Sequence, residues 1–233
     1  LLRGQWADGL IPQIVFHAPS DDYFQGPEAW QTGTRVPATS GITQPPVLAT
    51  AARAVLAADP AAGEARMAAV YPKLLANHRW WAAARDPEGC GLVSILHPWE
   101  SGMDNSPAWD AALARVPTET ETLVRRRDTG HVDPAMRPRQ QDYQRFIHLV
   151  DCFRREGWNA ARMFAASPWR MQDVGVNSIL LRAEADLWVL AERFGTPAER
   201  AEIDARRERM RAALGGLWSE AAGVFVSRDG LTG

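Results

Sequence analysis

The chain has 233 residues, of which 46% are hydrophobic and 23% charged, a composition typical of a globular protein with one large core. A formal net charge of −2 gives no electrostatic reason to expect nucleic acid or a membrane surface as a partner. The sequence shows no apolar run of membrane-spanning length and no recognisable secretory signal. Cys90 and Cys152 lie far apart, which argues against a disulfide framework and is compatible with a reducing, cytoplasmic location.

The first 45 residues are rich in Pro and Gly and predict loops, with one short strand candidate at 12–16. Helical spacing begins with "TQPPVLATAARAVLAAD", where one predicted apolar face contains Val47, Leu48, Ala51, Ala52, Val55 and Leu56. Asp59 and Pro60 then supply an N-cap and a first-turn proline. The helix they begin carries apolar residues at spacings of three and four, namely Met67, Val70, Tyr71, Leu74, Leu75, His78 and Trp81.

Three further helices are predicted in the second half of the chain. "RQQDYQRFIHLVDCFRREGW" has the apolar stripe Tyr143, Phe146, Ile147, Val150 and Phe153. "VNSILLRAEADLWVLAERFG" has the stripe Val176, Leu180, Ala183, Leu187, Leu190 and Phe194, and ends at Gly195. Thr196 to Glu199 forms a capping box for a last helix that buries Ile203, Met210, Leu214 and Leu217. A second strand candidate lies at 223–227.

We therefore predict an all-α fold in which helical hairpins close into a toroid. The whole chain, 1–233, forms part of one domain, with a substrate loop region at 1–45 and helical hairpins over 46–233. Loops at one end of such a toroid would build the functional site.

The segment from Arg85 to Pro107 breaks the helical spacing for about twenty residues, and long loops in compact domains are usually functional or disordered. "HPWESGMDNSPAWD" contains too many aromatic residues to favour disorder. A short helix is predicted over 107–115.

Two carboxylates of this loop, Glu100 and Asp104, stand beside tryptophans. A carboxyl group against apolar rings is desolvated, which favours its protonated form and suits it to general acid catalysis. Aromatic faces also stack on sugar rings, while acids, amides and arginines bind sugar hydroxyls. The loop therefore predicts a carbohydrate site. The alternative, given equal weight, is that Asp104 only caps the helix that begins near Pro107.

The sequence gives little support for a metal site, a nucleophilic serine or cysteine, or a nucleotide site. The five histidines are scattered, and no HxH, HExxH or CxxC occurs, so no metal is expected. The sequence has no nucleophile elbow and no phosphate or dinucleotide fingerprint. We expect no cofactor.

Several loops could add walls to the same pocket. "HAPSDDYFQGPEAWQTG" offers Tyr23 and Trp30 or is an ordered surface loop, and Gln44 binds hydroxyls or precedes the next helix. Arg137, with Tyr143 nearby, matters if the ligand carries a carboxylate, which a guanidinium binds in a bidentate manner. Asn177 is either a site residue or an N-cap. The run Arg125–Arg127 is predicted to be a solvated face.

Six segments taken together resemble glycoside hydrolase family 63, and in particular its bacterial mannosylglycerate and glucosylglycerate hydrolases. They are "IPQIVFH", "YFQGPEAW", "TSGITQPPV", "RDPEGCGLVSILHPWESGMDNSPAWD", "RPRQQDYQRF" and "DVGVNSILLRA", in order along most of the chain. "HPWESGMDNSP" is the most specific of them. The resemblance implies an (α/α)6 toroid and inverting hydrolysis of an α-glycosidic bond without a cofactor.

The resemblance also implies roles for individual residues. Asp104 matches the general acid, and Trp99 matches an aromatic that borders the sugar. Arg137 and Tyr143 match positions on the glycerate side of the ligand. Predicted substrate-contacting residues, in all, are Trp99, Glu100, Met103, Asn105, Gln44, Tyr23, Trp30, Arg137, Tyr143 and Asn177.

One catalytic residue has no counterpart. The family's general base is a Glu late in the toroid, and no segment before residue 233 matches it, so we expect the chain to be a fragment of a longer enzyme. Glu100, only four residues from Asp104, is not assigned as the base.

The predicted function is therefore hydrolysis of glucosylglycerate or mannosylglycerate, with a small-molecule carbohydrate as the partner and with homo-oligomerisation left open. Two alternatives remain. One is a hydrolase of neutral α-glucosides such as trehalose or a glucan end. The other is a non-catalytic sugar-binding fragment.

Overall fold

A computed structural model describes residues 1–17, 26–124, 126 and 132–233. In these ranges the chain is mainly helical. The α-helices are α1 (Pro27–Trp30), α2 (Leu48–Ala58), α3 (Pro60–Arg85), α4 (Asp110–Leu113), α5 (Gln140–Arg155), α6 (Ala160–Ala166), α7 (Val174–Phe194) and α8 (Pro197–Gly215). Turns of 3-10 helix occur at Leu2–Gly4, Pro98–Ser101, Pro107–Trp109 and Pro134–Met136. None of the described helices is long and apolar enough to cross a membrane.

The β structure is small and lies beside the loops. Strand β1 (Met171–Gln172) pairs antiparallel with β4 (Arg228–Asp229), and β2 (Trp218–Ser219) pairs antiparallel with β3 (Val224–Phe225). Ile95 forms a single bridge to Met171 on the other side of β1. The segment that precedes "HPWESGMDNSP" is therefore hydrogen-bonded to the segment that precedes α7.

Helix boundaries follow the local signals that the sequence contains. The Asp59 side chain accepts a hydrogen bond from the Ala62 backbone amide at the start of α3. Thr196 and Glu199 form the predicted capping box of α8. Each of these contacts satisfies a backbone donor that the first helical turn would leave without a partner, so both predictions are confirmed.

Most predicted stripes are buried. The one for α2 is confirmed in part, because Ala52 is buried and Leu48 and Leu56 are partly buried against the core. Ala49 and Ala52 are the buried residues of α2, whereas Val47, just before the helix, and Val55 are about half exposed. α2 lies against α3 and α7. Alanine permits close approach of two helix backbones, so Ala49 and Ala52 face the neighbouring helices, whereas the two valines face solvent.

The core consists of two clusters of buried residues. One contains Leu74, Leu75, Leu187, Leu190 and Ile203 and joins α2, α3, α7 and α8. The other is rich in aromatic residues and includes Trp6 and Trp30 of the N-terminal segment, Trp81 of α3, Trp99 and Phe146. Trp6 and Trp30 of the N-terminal segment therefore belong to the aromatic core, and the loop of interest lies on that same core.

The two cysteines are both free, as expected, with Cys90 exposed and Cys152 partly buried. The two strand candidates are confirmed in part: the one at 12–16 forms a single bridge from Val15 to Thr39, and the one at 223–227 contains β3. Helix α6 was not predicted.

Candidate functional site

The Asp104 loop is built from two 3-10 turns joined by a tight bend. Gly102 has φ 70°, a left-handed conformation that glycine adopts without steric cost. The Ser101 hydroxyl accepts a hydrogen bond from the Met103 backbone amide at 2.9 Å and donates one to the Pro98 carbonyl at 2.6 Å. This bend places Asp104 at the surface, half-buried.

Asp104 does not cap the following helical turn. The Ser106 hydroxyl accepts the hydrogen bond from the Ala108 backbone amide and acts as the N-cap. The capping alternative for Asp104 is therefore wrong, and its carboxylate is available for another role.

A cavity of about 380 Å³ lies between this loop and residues 135–142. Its size falls in the range of small-ligand sites. Its wall contains three carboxylates, two guanidinium groups and one amide, contributed by Asp104, Asp110, Asp142, Arg137, Arg139 and Asn105. The structure thus brings together Asp104, Asn105 and Arg137, which the sequence predicted from two separate segments.

Asn105 joins the two walls of the cavity. Its side-chain amide donates a hydrogen bond to the Met136 carbonyl at 3.0 Å. Asn105 lies between two 3-10 turns and Met136 ends another, so this contact helps to set the distance between the two walls.

Trp99 lies among aromatic rings, with only 9% of its surface exposed. Its ring centroid is 4.4 Å from that of His97, 5.6 Å from that of Phe146 and 6.1 Å from that of Tyr143. Trp30 is fully buried, 6.2 Å from Trp99. Trp30 therefore packs against Trp99 and has no exposed surface to offer a ligand.

His97 connects the loop to α5. Its Nε2 is 3.0 Å from the Phe146 carbonyl, and its Nδ1 accepts a hydrogen bond from the Trp99 backbone amide at 3.0 Å. The carbonyl requires a proton on Nε2 and the amide requires a lone pair on Nδ1, so these partners select one neutral tautomer. Burial lowers the pKa of His97 to about 4, against smaller opposing effects of the Phe146 carbonyl and of Glu100.

Glu100 and Asn177 are fully buried. Glu100 forms an ion pair with Arg85 at 2.7 Å. The Asn177 side chain accepts a hydrogen bond from the Val93 amide and donates one to the Val93 carbonyl, both at 2.9 Å. The N-cap of α7 is Asp173, so the capping alternative for Asn177 is wrong. Both Glu100 and Asn177 hold the backbone beneath the loops.

The other predicted residues have different positions. Met103 is about half exposed, and its Cε lies near the first turn of α7, 3.8 Å from where a Cβ on Gly175 would be. Gln44 lines a separate cavity of about 60 Å³ that also includes Asn77. Tyr23 lies outside the described residues.

Sequence reasoning missed two features of this site. Arg126, from the run predicted as a solvated face, donates a hydrogen bond to the Pro138 carbonyl at 2.6 Å and lies 4.5 Å above the Tyr143 ring. The solvated-face prediction is thus wrong for Arg126; its two neighbours in the run lie outside the described residues.

The second feature is Asp142, which binds Arg139 at 2.7 Å and Arg145 at 2.8 Å. The three residues are spaced by three in a predicted helix, a signal that could have identified this ion-pair network.

Among the described residues, no group of three or more His, Cys, Asp or Glu side chains is placed to hold a metal ion. The polar groups that line the cavity are carboxylates, guanidinium groups and one amide.

Comparison with known proteins gives consistent results. Residues 1–233 match the family described as "Mannosylglycerate hydrolase MGH1-like glycoside hydrolase domain". Mannosylglycerate hydrolase from Thermus thermophilus is 48% identical over 233 residues, which cover 99% of this chain and 56% of that protein. Mannosylglycerate hydrolase MGH1 from Selaginella moellendorffii is 46% identical, over 100% of this chain and 48% of that protein. Glucosylglycerate hydrolase from Mycolicibacterium hassiacum is 35% identical, over 100% and 53%.

A solved structure has the same fold. The GH63 mannosylglycerate hydrolase from Thermus thermophilus, in complex with Tris and D-glycerate, superposes with a TM-score of 0.93 at 47% identity, over 99% of this chain and 55% of that chain. The predicted all-α, GH63-type fold is confirmed. The chain spans about half the length of the relatives that it matches.

Proposed function

Because the chain belongs to the mannosylglycerate hydrolase MGH1-like family of glycoside hydrolases, we propose that it forms part of an inverting α-glycoside hydrolase. The substrate is a small glycosylglycerate, either glucosylglycerate or mannosylglycerate, which is cleaved to the sugar and glycerate. The observation that carries this proposal is that Asp104 and Arg137 line one cavity.

Asp104 is the proposed general acid. It lies at the cavity, half-buried and not used as a helix cap, and would donate its proton to the glycosidic oxygen as the bond to glycerate breaks. Inversion requires a second carboxylate roughly 6.5–9.5 Å away to activate water on the opposite face of the sugar.

We assign no general base within the described residues. Asp142 is held by Arg139 and Arg145, and Glu100 is buried with Arg85. The family resemblance instead attributes the base to a glutamate late in the toroid.

Arg137 and Tyr143 are proposed to bind the glycerate part of the substrate. A guanidinium group binds a carboxylate with paired, charge-assisted hydrogen bonds. Support comes from the Thermus thermophilus mannosylglycerate hydrolase, whose solved structure contains D-glycerate. Trp99, Met103 and Asn105 would border the sugar.

The test is proton NMR of glucosylglycerate and mannosylglycerate with the longest polypeptide that the gene encodes. We expect release of the sugar as the β-anomer. Asp104→Asn should lower kcat by about 100- to 10,000-fold, the usual range for loss of general acid catalysis, because the amide cannot donate the proton in the same way. Asp110→Asn is the matched control, since Asp110 lines the same cavity, and it should stay within about threefold of the wild type because it carries no proton-transfer role.

Three outcomes would contradict the proposal. Release of the α-anomer would exclude inversion. Equal losses in the Asp104 and Asp110 variants would remove the assignment of the acid. Binding of the sugar acid without turnover would instead support a non-catalytic sugar-binding protein.

A further inference from the structure

Two fully buried charged side chains lie beneath the Asp104 loop. Arg85, in the last turn of α3, and Glu100, in the 3-10 turn Pro98–Ser101, form an ion pair at 2.7 Å, and both side chains are 0% exposed. Burying two charges costs several kcal/mol per ion, and the attraction between them often only offsets that cost. Stability alone is therefore a weak reason for this pair.

The Glu100 carboxylate also binds two backbone amides. One oxygen accepts a hydrogen bond from the Leu96 amide at 2.8 Å, and the other accepts one from the Thr43 amide at 3.4 Å in addition to its bond to Arg85. This single side chain therefore fixes three segments relative to one another: the end of α3, the turn at Thr43 and the start of the catalytic loop.

The connection from Glu100 to Asp104 is short and hydrogen-bonded. Ser101, the next residue, bonds to the Pro98 carbonyl and to the Met103 amide. Asp104 follows directly. A shift of the Glu100 backbone would therefore move the Asp104 carboxyl group with respect to a bound substrate.

We propose that Glu100 and Arg85 are a pair of positioning residues that set the place of the Asp104 carboxyl group without touching the substrate. This inference rests on the proposed function of Asp104. It also gives Glu100 a different role from the substrate contact predicted by sequence.

The dependence of the rate on the leaving group distinguishes this positioning role from a general structural role. Glycerate leaves as an alcohol and needs a proton from the acid, whereas fluoride leaves without one. Misplacing the acid by about 1 Å can cost on the order of 100-fold in rate, and that loss should affect only the substrate that needs the proton.

The experiment compares kcat for the glycosylglycerate with kcat for the matching α-glycosyl fluoride, using the longest polypeptide that the gene encodes. Glu100→Gln should lower kcat on the glycosylglycerate by about 10- to 100-fold and change kcat on the fluoride by less than about threefold. Arg85→Lys keeps the charge and one donor, so it should show a smaller loss with the same selectivity. Circular dichroism melts confirm that each variant is folded.

Glu184→Gln is the matched control. Glu184 is also a buried carboxylate and is paired with His78 and Arg206, but it lies in the middle of α7 and lines a different cavity from that of Asp104. Its variant should change both rates by the same factor.

Two results would overturn the positioning role: a Glu100→Gln variant that loses both activities equally, or one that loses neither. If Glu100→Gln is unfolded, equal losses of the two activities in Arg85→Lys overturn the role in its place. A wild-type protein that cleaves neither substrate overturns the proposed function itself, and the positioning role with it.

Discussion

Two acidic residues of one short loop have opposite surroundings. Asp104 faces the cavity, whereas Glu100, four residues earlier, is buried with Arg85 and backbone amides. A carboxylate that lines a cavity can exchange a proton with a ligand. A buried carboxylate whose oxygens already accept hydrogen bonds stabilises the backbone around it. At the scale of single residues, surroundings therefore separate a proposed catalytic acid from a structural one of similar chemistry.

Arg137 tests whether the substrate is anionic. Arg137→Ala should lower kcat/KM for a glycosylglycerate by about 10- to 100-fold, mostly through KM, because a hydrogen bond between charged groups contributes about 1.5–3 kcal/mol. Hydrolysis of a neutral aryl α-glucoside should change by less than about threefold. Steady-state kinetics on both substrates provide the measurement.

Arg139→Ala is the control for Arg137. It removes a guanidinium from the same cavity, at a position to which no contact with the substrate is assigned. If Arg137→Ala lowers kcat/KM for both substrates by the same factor, the neutral α-glucoside alternative is favoured instead.

At the scale of elements, irregular loops are fixed by contacts to helices. His97 connects the Asp104 loop to α5 through the Phe146 carbonyl, and Asn105 connects it to the Met136 carbonyl. Asn177 ties the first turn of α7 to Val93. These contacts replace the regular hydrogen bonds that the loops lack.

The buried imidazole of His97 predicts a pH-dependent stability. Its pKa is lowered from 6.5 to about 4 in the folded protein, so between these values the unfolded chain binds the proton and the folded chain does not. The stabilisation is fully present above pH 6.5 and is lost as the pH falls toward 4. At 1.36 kcal/mol per pKa unit, the loss approaches about 3 kcal/mol.

Urea unfolding at pH 7 and pH 4.5 provides the test. His97→Gln should be less stable at pH 7 because the ring contacts with Trp99 and Phe146 are lost. Its free energy of unfolding should nevertheless fall less between the two pH values than that of the wild type. Identical pH slopes in the two proteins would show that His97 is not the titrating group.

At the scale of the whole molecule, the N-terminal segment is part of the core. Trp6, Leu10, Trp30 and Ile42 pack in the same cluster as Trp99 and Phe146. This packing positions the segment that precedes α2 beside the Asp104 loop: Pro45 Cγ is 3.4 Å from where a Cβ on Gly102 would lie.

Gly41 marks the tightest of these contacts. A Cβ at this position would lie 2.1 Å from the Trp158 ring, and Trp158 is buried against Trp30. Gly41→Ala should therefore destabilise the protein by about 1–3 kcal/mol, as overpacked core sites do. The measurement is the free energy of unfolding in urea.

Gly215→Ala is the matched control. An added Cβ there meets nothing within 4 Å, and alanine favours a helix over glycine by roughly 0.5–1 kcal/mol. This variant should be neutral or more stable. A Gly41→Ala protein as stable as the wild type would show that the N-terminal segment is not tightly packed.

Much of the helical framework was predictable because its signals are local. The stripes of α5 and α7 and the capping box of α8 depend on residues three or four apart, and all three are present in the structure. The stripe of α2 was only partly correct because alanine and valine are both apolar, and only the neighbouring helices determine which of them is buried.

The candidate site was likewise predictable only in part. Asp104, Trp99 and Arg137 were recognisable from sequence because their loops contain an unusual mixture of residue types and resemble a known family. The sequence did not indicate that Glu100 pairs with Arg85, that Asn177 binds Val93 or that Arg126 covers Tyr143.

What the sequence by itself determined is therefore the helical class, the starts of α3 and α8 and the loop that carries the proposed acid, since each depends on nearby residues. Only the tertiary structure decided which polar residues of that loop face the cavity and which hold the backbone in place. Burial and hydrogen-bond partners set these roles, and the partners are distant in sequence: 84 positions separate Asn177 from Val93, and 57 separate Glu100 from Thr43.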